Sequence, residues 1–208
     1  MERTPFGETR YGALFDDREG VRKYAKHHGA RSRKVGESFA QRLADLGVRE
    51  GRVLDAGAGS GDTAIALAEA LPQMEVVGLL AREVEDQAGE IQADDRGLAD
   101  RVSFVEGDCQ AMPFDDDHFH AVVSQDILHC VPDPVAMVSE IERVLEPTGT
   151  LLLRNIRRCW LGWLDGVFKT AYTAHEVRDI LREGGLRPWR IQVGFMTLTV
   201  EAGPHTAS

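Results

Sequence analysis

From Val53 onward, short apolar runs alternate with stretches of helical periodicity. The runs near 52–56, 75–80, 101–106, 119–124 and 149–154 predict strands, and the stretches near 62–71, 82–94, 134–145 and 174–183 predict helices. Such alternation builds βαβ units, hence a parallel sheet covered on both faces. Several boundaries have chemical causes. Asp133-Pro134 is an N-cap followed by proline at the first helical position. Val138, Ile141 and Leu145 then recur at helical spacing until Pro147 stops the helix. Thr173-Ala174-His175-Glu176 is a capping box, and Gly184-Gly185 ends the helix it opens. The stretch from Trp189 to Glu201 has the pattern of two strands broken near Gly194. No helix fits between them, so they pair antiparallel and close the sheet.

The most informative segment is Val53-Leu54-Asp55-Ala56-Gly57-Ala58-Gly59-Ser60-Gly61. It predicts a strand, a glycine loop and the start of a helix at Asp62. Glycines open backbone angles closed to other residues and let a ligand approach the main chain. The helix start adds unpaired N–H groups and a positive dipole end, which suit a carboxylate or phosphate. A ligand-free turn is the bland alternative, but three alternating glycines cost folding entropy that a plain turn does not require. A dinucleotide fingerprint reads Gly-x-Gly-x-x-Gly. Here the third glycine comes one residue early, and Asp62 stands where that pattern wants Gly or Ala.

The pattern Asp-x-Gly-x-Gly-x-Gly resembles motif I of the class I S-adenosylmethionine-dependent methyltransferases. The resemblance extends over residues 45–155. It implies an α/β, Rossmann-like three-layer sandwich whose mostly parallel seven-stranded sheet ends in an antiparallel C-terminal hairpin strand. It also implies S-adenosylmethionine as cofactor, with Asp55, Gly57, Ala58, Gly59 and Gly61 around its methionine part. After the second strand the family carries an acidic residue for the ribose hydroxyls; this chain has Leu80, which accepts no hydrogen bond. Glu83 or Glu85 stands in the next turn as a substitute. Gly107-Asp108-Cys109-Gln110-Ala111-Met112-Pro113-Phe114 resembles the segment that reads adenine. Asp108 then takes the amino group and the Cys109 backbone a ring nitrogen. The competing reading of Asp108 is a turn-forming residue. Leu128-His129-Cys130-Val131-Pro132-Asp133 resembles the family's Leu-His-His-Val-x-Asp stretch, which places Ser124 and Gln125 near the sulfonium. His129, Asp126 and Tyr24 are the candidate bases; His129 reads equally as a residue that ties its loop.

Composition narrows the setting. The 208 residues fit one domain: a helical N-terminal lid over 1–45, a cofactor-binding core over 46–155, and an acceptor-side segment with the C-terminal hairpin over 156–208. Net charge is −10, yet residues 1–34 carry nine Lys/Arg against five Asp/Glu. The acidic remainder argues against nucleic-acid binding. The basic run Arg22 to Lys34 is either a solvated helix face or a surface for an anionic substrate. No apolar run reaches the ~18 residues of a membrane span. Met1 to Arg10 does not read as a secretory signal, and three cysteines set no zinc or disulfide spacing. The expectation is a cytoplasmic protein with no bound metal. Cys109, Cys130 and Cys159 each follow a strand, and a thiolate cluster there would suit a soft acceptor; inert buried thiols are the ordinary case. Trp160, Trp163, Phe168 and Tyr172 share a stripe that fits core packing, an acceptor pocket or a homodimer contact.

The expected function is methyl transfer to a small-molecule acceptor by in-line displacement. The alternatives are a catalytically degenerate cofactor-binding module acting through a protein partner, and a nicotinamide-dependent oxidoreductase, which the glycine spacing disfavours.

Overall fold

The computed structural model describes residues 18–81, 83–159 and 167–204, with backbone alone for 18–25, 83–88 and 167. A long helix, α1 (Arg18–Asp45), precedes β1 (Glu50–Ala56). Next come α2 (Asp62–Ala70), β2 (Gln73–Leu80), α3 (Glu83–Asp95), β3 (Val102–Glu106) and β4 (Phe119–Gln125). Then follow α4 (Pro134–Val144), β5 (Leu145–Ile156), α5 (Val167–Thr170), α6 (Ala174–Glu183), β6 (Trp189–Val193) and β7 (Thr197–Ala202). The strands form one sheet in the order β3-β2-β1-β4-β5-β7-β6. β7 runs antiparallel to both of its neighbours, and the strands from β3 to β5 are parallel. This is the expected mostly parallel Rossmann-like sheet. Strand order reverses between β1 and β4, which opens a crevice beyond their carboxyl ends.

Side-chain alternation along the strands makes the three layers. Leu54, Val122, Leu151 and Leu153 pack with Met137, Val138, Ile141, Val177 and Leu181 of α4 and α6. Their neighbours Val53, Ala121, Val123 and Leu152 face the other way, onto Ile65 and Leu67 of α2 and Phe39 and Leu43 of α1. Successive residues on a strand point to opposite faces, so a run apolar at every position is buried on both.

Asp133 caps α4: its carboxylate accepts from the Val135 and Ala136 N–H groups, both at 3.0 Å. Asp133→Ala is expected to cost about 1 kcal/mol of stability, measured by urea unfolding. Thr173 and Glu176 form the capping box of α6.

Two boundaries differ from the sequence pattern. α4 ends at Val144 with Leu145 as its C-cap, as the pattern near 134–145 predicted, but β5 starts at Leu145 rather than near 149, because Leu145 already pairs with Phe119 of β4. The segment 146–149 then bulges out before pairing resumes at Ala121 and Thr150. Arg187 holds that bulge through the carbonyls of Glu146 and Gly149, at 2.7 and 3.1 Å, while Glu142 anchors its guanidinium. The second difference is α1. Its later turns are core, with Val35, Phe39, Ala40 and Leu43 buried. At Gly36 it crosses α2 so closely that a Cβ would lie 2.8 Å from Ala66 Cβ and Thr63 O. The expected lid over 1–45 is therefore a structural layer from about residue 35 onward. Among the described residues no helix is long and apolar enough to cross a membrane.

Candidate functional site

The loop after β1 carries three glycines in the left-handed region: Gly57 at φ 87°, Gly59 at 54° and Gly61 at 82°. Their reasons differ. A Cβ on Gly57 would meet Ile127 at 2.6 Å, and one on Gly61 would meet Gly89 Cα and the Phe104 ring at 2.9 Å. Those two glycines permit close packing. A Cβ on Gly59 meets nothing within 4 Å, so its bare backbone borders open space. The N–H groups of Gly57 and Ala58 both donate to Leu79 O, at 3.1 and 2.9 Å, which fastens the loop to β2. Gly61 caps α2 without any side-chain hydrogen bond. The first-turn N–H groups of α2 thus receive no cap from Gly61, an arrangement that favours an anion at the helix start.

Asp55, at the end of β1, is buried, and neither carboxylate oxygen closes a hydrogen bond. Burial raises its pKa to about 7, against a smaller opposing pull from the Ala64 N–H of α2. It stands just before the loop as a buried carboxyl group beside the first turn of α2.

The middle of α1 borders the start of α2. A Cβ on Gly29 would lie 3.0 Å from the Asp62 carboxylate, and Ser32 O stands 3.4 Å from Thr63 Oγ1. Tyr24 lies in α1, but its side chain is outside the described residues. His28, half-buried, is held below its ordinary pKa by burial and by the charges of Arg31 and His27, while Asp126 pulls the other way.

The rim at β2 and β3 is mixed. Leu80 is fully buried and offers no acceptor. The side chains of Glu83 and Glu85, the expected substitutes, lie outside the described residues. Asp108 is exposed, and its carboxylate accepts from Gln110 N at 2.8 Å and from Gln110 Nε2 at 2.9 Å. It therefore forms the turn that its sequence position also allowed. Cys109 and Met112 are buried. Phe114 packs edge-on against Phe119, with ring centres 5.0 Å apart. Arg143 of α4 donates to Met112 O and Phe114 O, at 3.1 and 2.8 Å, and fixes this loop from below.

At the end of β4, Ser124 is buried and donates to Ala56 O at 3.2 Å, tying β4 to β1. Gln125 Oε1 accepts from Thr63 Oγ1 at 3.0 Å, tying β4 to α2. Asp126 holds a left-handed backbone at φ 54°. Its Oδ1 accepts from Ile156 N at 2.7 Å, and its Oδ2 lies 3.8 Å from Arg31 Nη2 and from Arg154 Nη1. The Asp126 carboxylate thus links α1 to β5. His129 is buried, with Asn155 Nδ2 at 3.2 Å from its Nδ1. That contact ties the loop after β4 to β5.

The crevice brings together Asp55, Gly57, Ala58, Gly59, Gly61, Ser124 and Gln125, with Asp126 at one edge. Sequence reasoning missed Thr63, Arg31, Arg154 and Asn155. The basic run was a signal for Arg31; the others carry no local pattern, since their partners lie 26 to 62 residues away in the chain. Trp160 and Trp163 lie outside the described residues. Tyr172 of the same stripe is buried in the core beside α6. Among the described residues no three His, Cys, Asp or Glu side chains are placed to share a metal ion, so the three cysteines do not converge on one.

Residues 48–185 match a family model described as a methyltransferase domain. A sterol 24-C-methyltransferase from Gibberella zeae is 35% identical over 123 residues, covering 55% of this chain and 32% of that protein. A demethylmenaquinone methyltransferase from Staphylococcus aureus is 34% identical over 112 residues, covering 53% and 45%. The chain thus spans less than half the length of these curated relatives. A solved structure described as a putative S-adenosyl-L-methionine-dependent methyltransferase from Methanococcus maripaludis superposes with a TM-score of 0.75. It covers 98% of this chain and 96% of that one at 18% identity, which shows a shared fold.

Proposed function

This chain belongs to the class I S-adenosylmethionine-dependent methyltransferases, and we propose that it binds that cofactor in the glycine crevice and methylates a small-molecule acceptor. The observation that carries the reading is Gly59, whose left-handed backbone opens onto free space beside the uncapped start of α2. That is where a methionine carboxylate and backbone fit. The cofactor supplies a methyl group already activated on a sulfonium, so the protein needs no nucleophile of its own. Its residues orient the two reactants and exclude water. Ser124 and Gln125 fix the spacing of β1, β4 and α2 around the crevice, and α1 borders it at Gly29 and Ser32.

Asp108 takes the adenine amino group by turning its carboxylate from Gln110 Nε2. Asp108→Ala is expected to weaken cofactor binding by roughly 1–3 kcal/mol, read by calorimetric titration. Leu80 supplies no carboxylate for the ribose. Where an acceptor must lose a proton, the candidate imidazoles are His129 and His28, the latter held below its ordinary pKa chiefly by burial. The relatives act, by their names, on a sterol and on demethylmenaquinone, which supports a small organic acceptor. The acidic net charge and the absence of a disulfide among the three cysteines support a cytoplasmic protein that does not bind nucleic acid.

The test is transfer of labelled methyl from S-adenosylmethionine to a panel of quinol, phenol, amine, carboxylate and alkene acceptors. Label in a low-mass product that Gly59→Val fails to form supports the proposal. Tight cofactor binding with no labelled product across the panel contradicts it.

A further inference from the structure

A second concave surface lies outside the glycine crevice. It is a cleft of about 650 Å³ between α1 and the face of β5, β7 and β6. Register puts its sheet residues in two rows. Leu152, Glu201 and Arg190 stand side by side across the three strands, and Arg154, Thr199 and Gln192 form the next row. From α1, Arg31, Lys34 and Arg42 face these rows. Among the described lining residues Glu201 is the one carboxylate, and Arg42 already engages both of its oxygens at 2.8 and 2.9 Å. Four further cations line the same cleft, in a protein of net charge −10. Asp126, outside the cleft lining, stands 3.8 Å from Arg31 and from Arg154, so the lining itself carries five cations against the one carboxylate and favours an anion.

Arg154 sharpens this. Its Nη1 is shut off from solvent and makes no hydrogen bond. The nearest acidic group, Asp126 Oδ2, stands off at 3.8 Å. That atom is turned toward Asp126, and the part of the Arg154 side chain that stays exposed lines the cleft. The base of the cleft is apolar, formed by the buried Val35, Phe39 and Leu152. The volume matches a small organic molecule rather than a bare ion.

We propose that this cleft binds a small organic anion with an apolar body, its carboxylate or phosphate read by Arg154, Arg31, Lys34 and Arg190. The apolar body lies on Val35, Phe39 and Leu152. The cleft adjoins the glycine crevice across the Arg31–Asp126–Arg154 bridge but shares none of its loop residues. Its occupation therefore does not depend on methyl transfer, and it is tested without the cofactor.

The experiment titrates the full chain calorimetrically with octyl phosphate, octanoate, octanol and inorganic phosphate at about 0.15 M salt. The expected result is that octyl phosphate or octanoate binds at least about tenfold tighter than both octanol and inorganic phosphate. The double variant Lys34→Gln/Arg190→Gln, on the exposed rim, weakens binding of that anion about tenfold and leaves octanol unchanged. Arg154→Met weakens it at least as much; a thermal scan checks its folding, and the rim variant decides if it does not fold. Affinity for S-adenosylhomocysteine stays at the wild-type value in the rim variant, which separates this cleft from the crevice. The proposal is overturned if octanol binds as tightly as the anions. It is equally overturned if inorganic phosphate does, or if the rim variant binds the anions as wild type does.

Discussion

Gly59→Val abolishes binding of S-adenosylmethionine while the protein stays folded. At φ 54° a branched side chain costs about 1–2 kcal/mol of backbone strain, and no atom within 4 Å resists the new Cβ. The stability loss is therefore modest. The binding loss is large, because the side chain occupies the space that the methionine part requires; at least about 100-fold, or 2.7 kcal/mol, is expected in calorimetric titration. Gly59→Ala has comparable backbone strain with less bulk, so it isolates the steric effect and should lose less affinity. Gly61→Ala behaves in the opposite way. Its Cβ would sit 2.9 Å from Gly89 Cα and the Phe104 ring, so α3 must shift and stability falls first. Neighbouring glycines of one motif thus separate into a ligand-facing and a packing position. Wild-type affinity in Gly59→Val would falsify the placement of the cofactor.

Asp55→Asn flattens a large pH dependence of stability. The folded-state pKa of Asp55 is raised to about 7, chiefly by burial, from 3.8. A raised carboxyl pKa means that the folded state holds the proton more tightly than the unfolded chain. Its contribution to stability is then fullest below about pH 4. It declines as the unfolded carboxyl ionises, and levels off above about pH 7. The span is about 4 kcal/mol at 1.36 kcal/mol per unit. Asparagine does not ionise, so the stability of the variant relative to wild type should rise by about 4 kcal/mol between pH 4 and pH 7.5. Urea unfolding across that range measures the difference, in which the other titrating groups cancel. A constant difference would show that Asp55 ionises in the folded protein as it does in the unfolded one.

How much of this was legible in the chain follows from how local each cause is. Asp133-Pro134 and Thr173 to Glu176 encode their helix starts within a few residues, and both formed where the pattern put them. The glycine loop was legible because strand, turn and helix start are contiguous. The split among Gly57, Gly59 and Gly61 was not, since it depends on Ile127, Gly89 and Phe104, which only the folded sheet brings close. The start of β5 was hidden for a related reason. The apolar run marks it near 149, but Leu145 already pairs with Phe119 before the bulge. For Asp108 and His129 the sequence allowed two roles each. Gln110 and Asn155 are the partners the fold supplies to them, and neither stands in a pattern that the sequence shows. The cationic cleft was half legible: the basic run announced Arg31 and Lys34, whereas Arg154 and Arg190 join them through the strand register.

The central claim is that the glycine crevice is a cofactor site in spite of the fully buried Leu80 at its ribose edge. Calorimetric titration of the purified chain with S-adenosylmethionine and S-adenosylhomocysteine tests it most directly. The account predicts saturable one-to-one binding of both at roughly micromolar Kd, lost in Gly59→Val. A folded protein that shows no heat of binding up to millimolar ligand would contradict it.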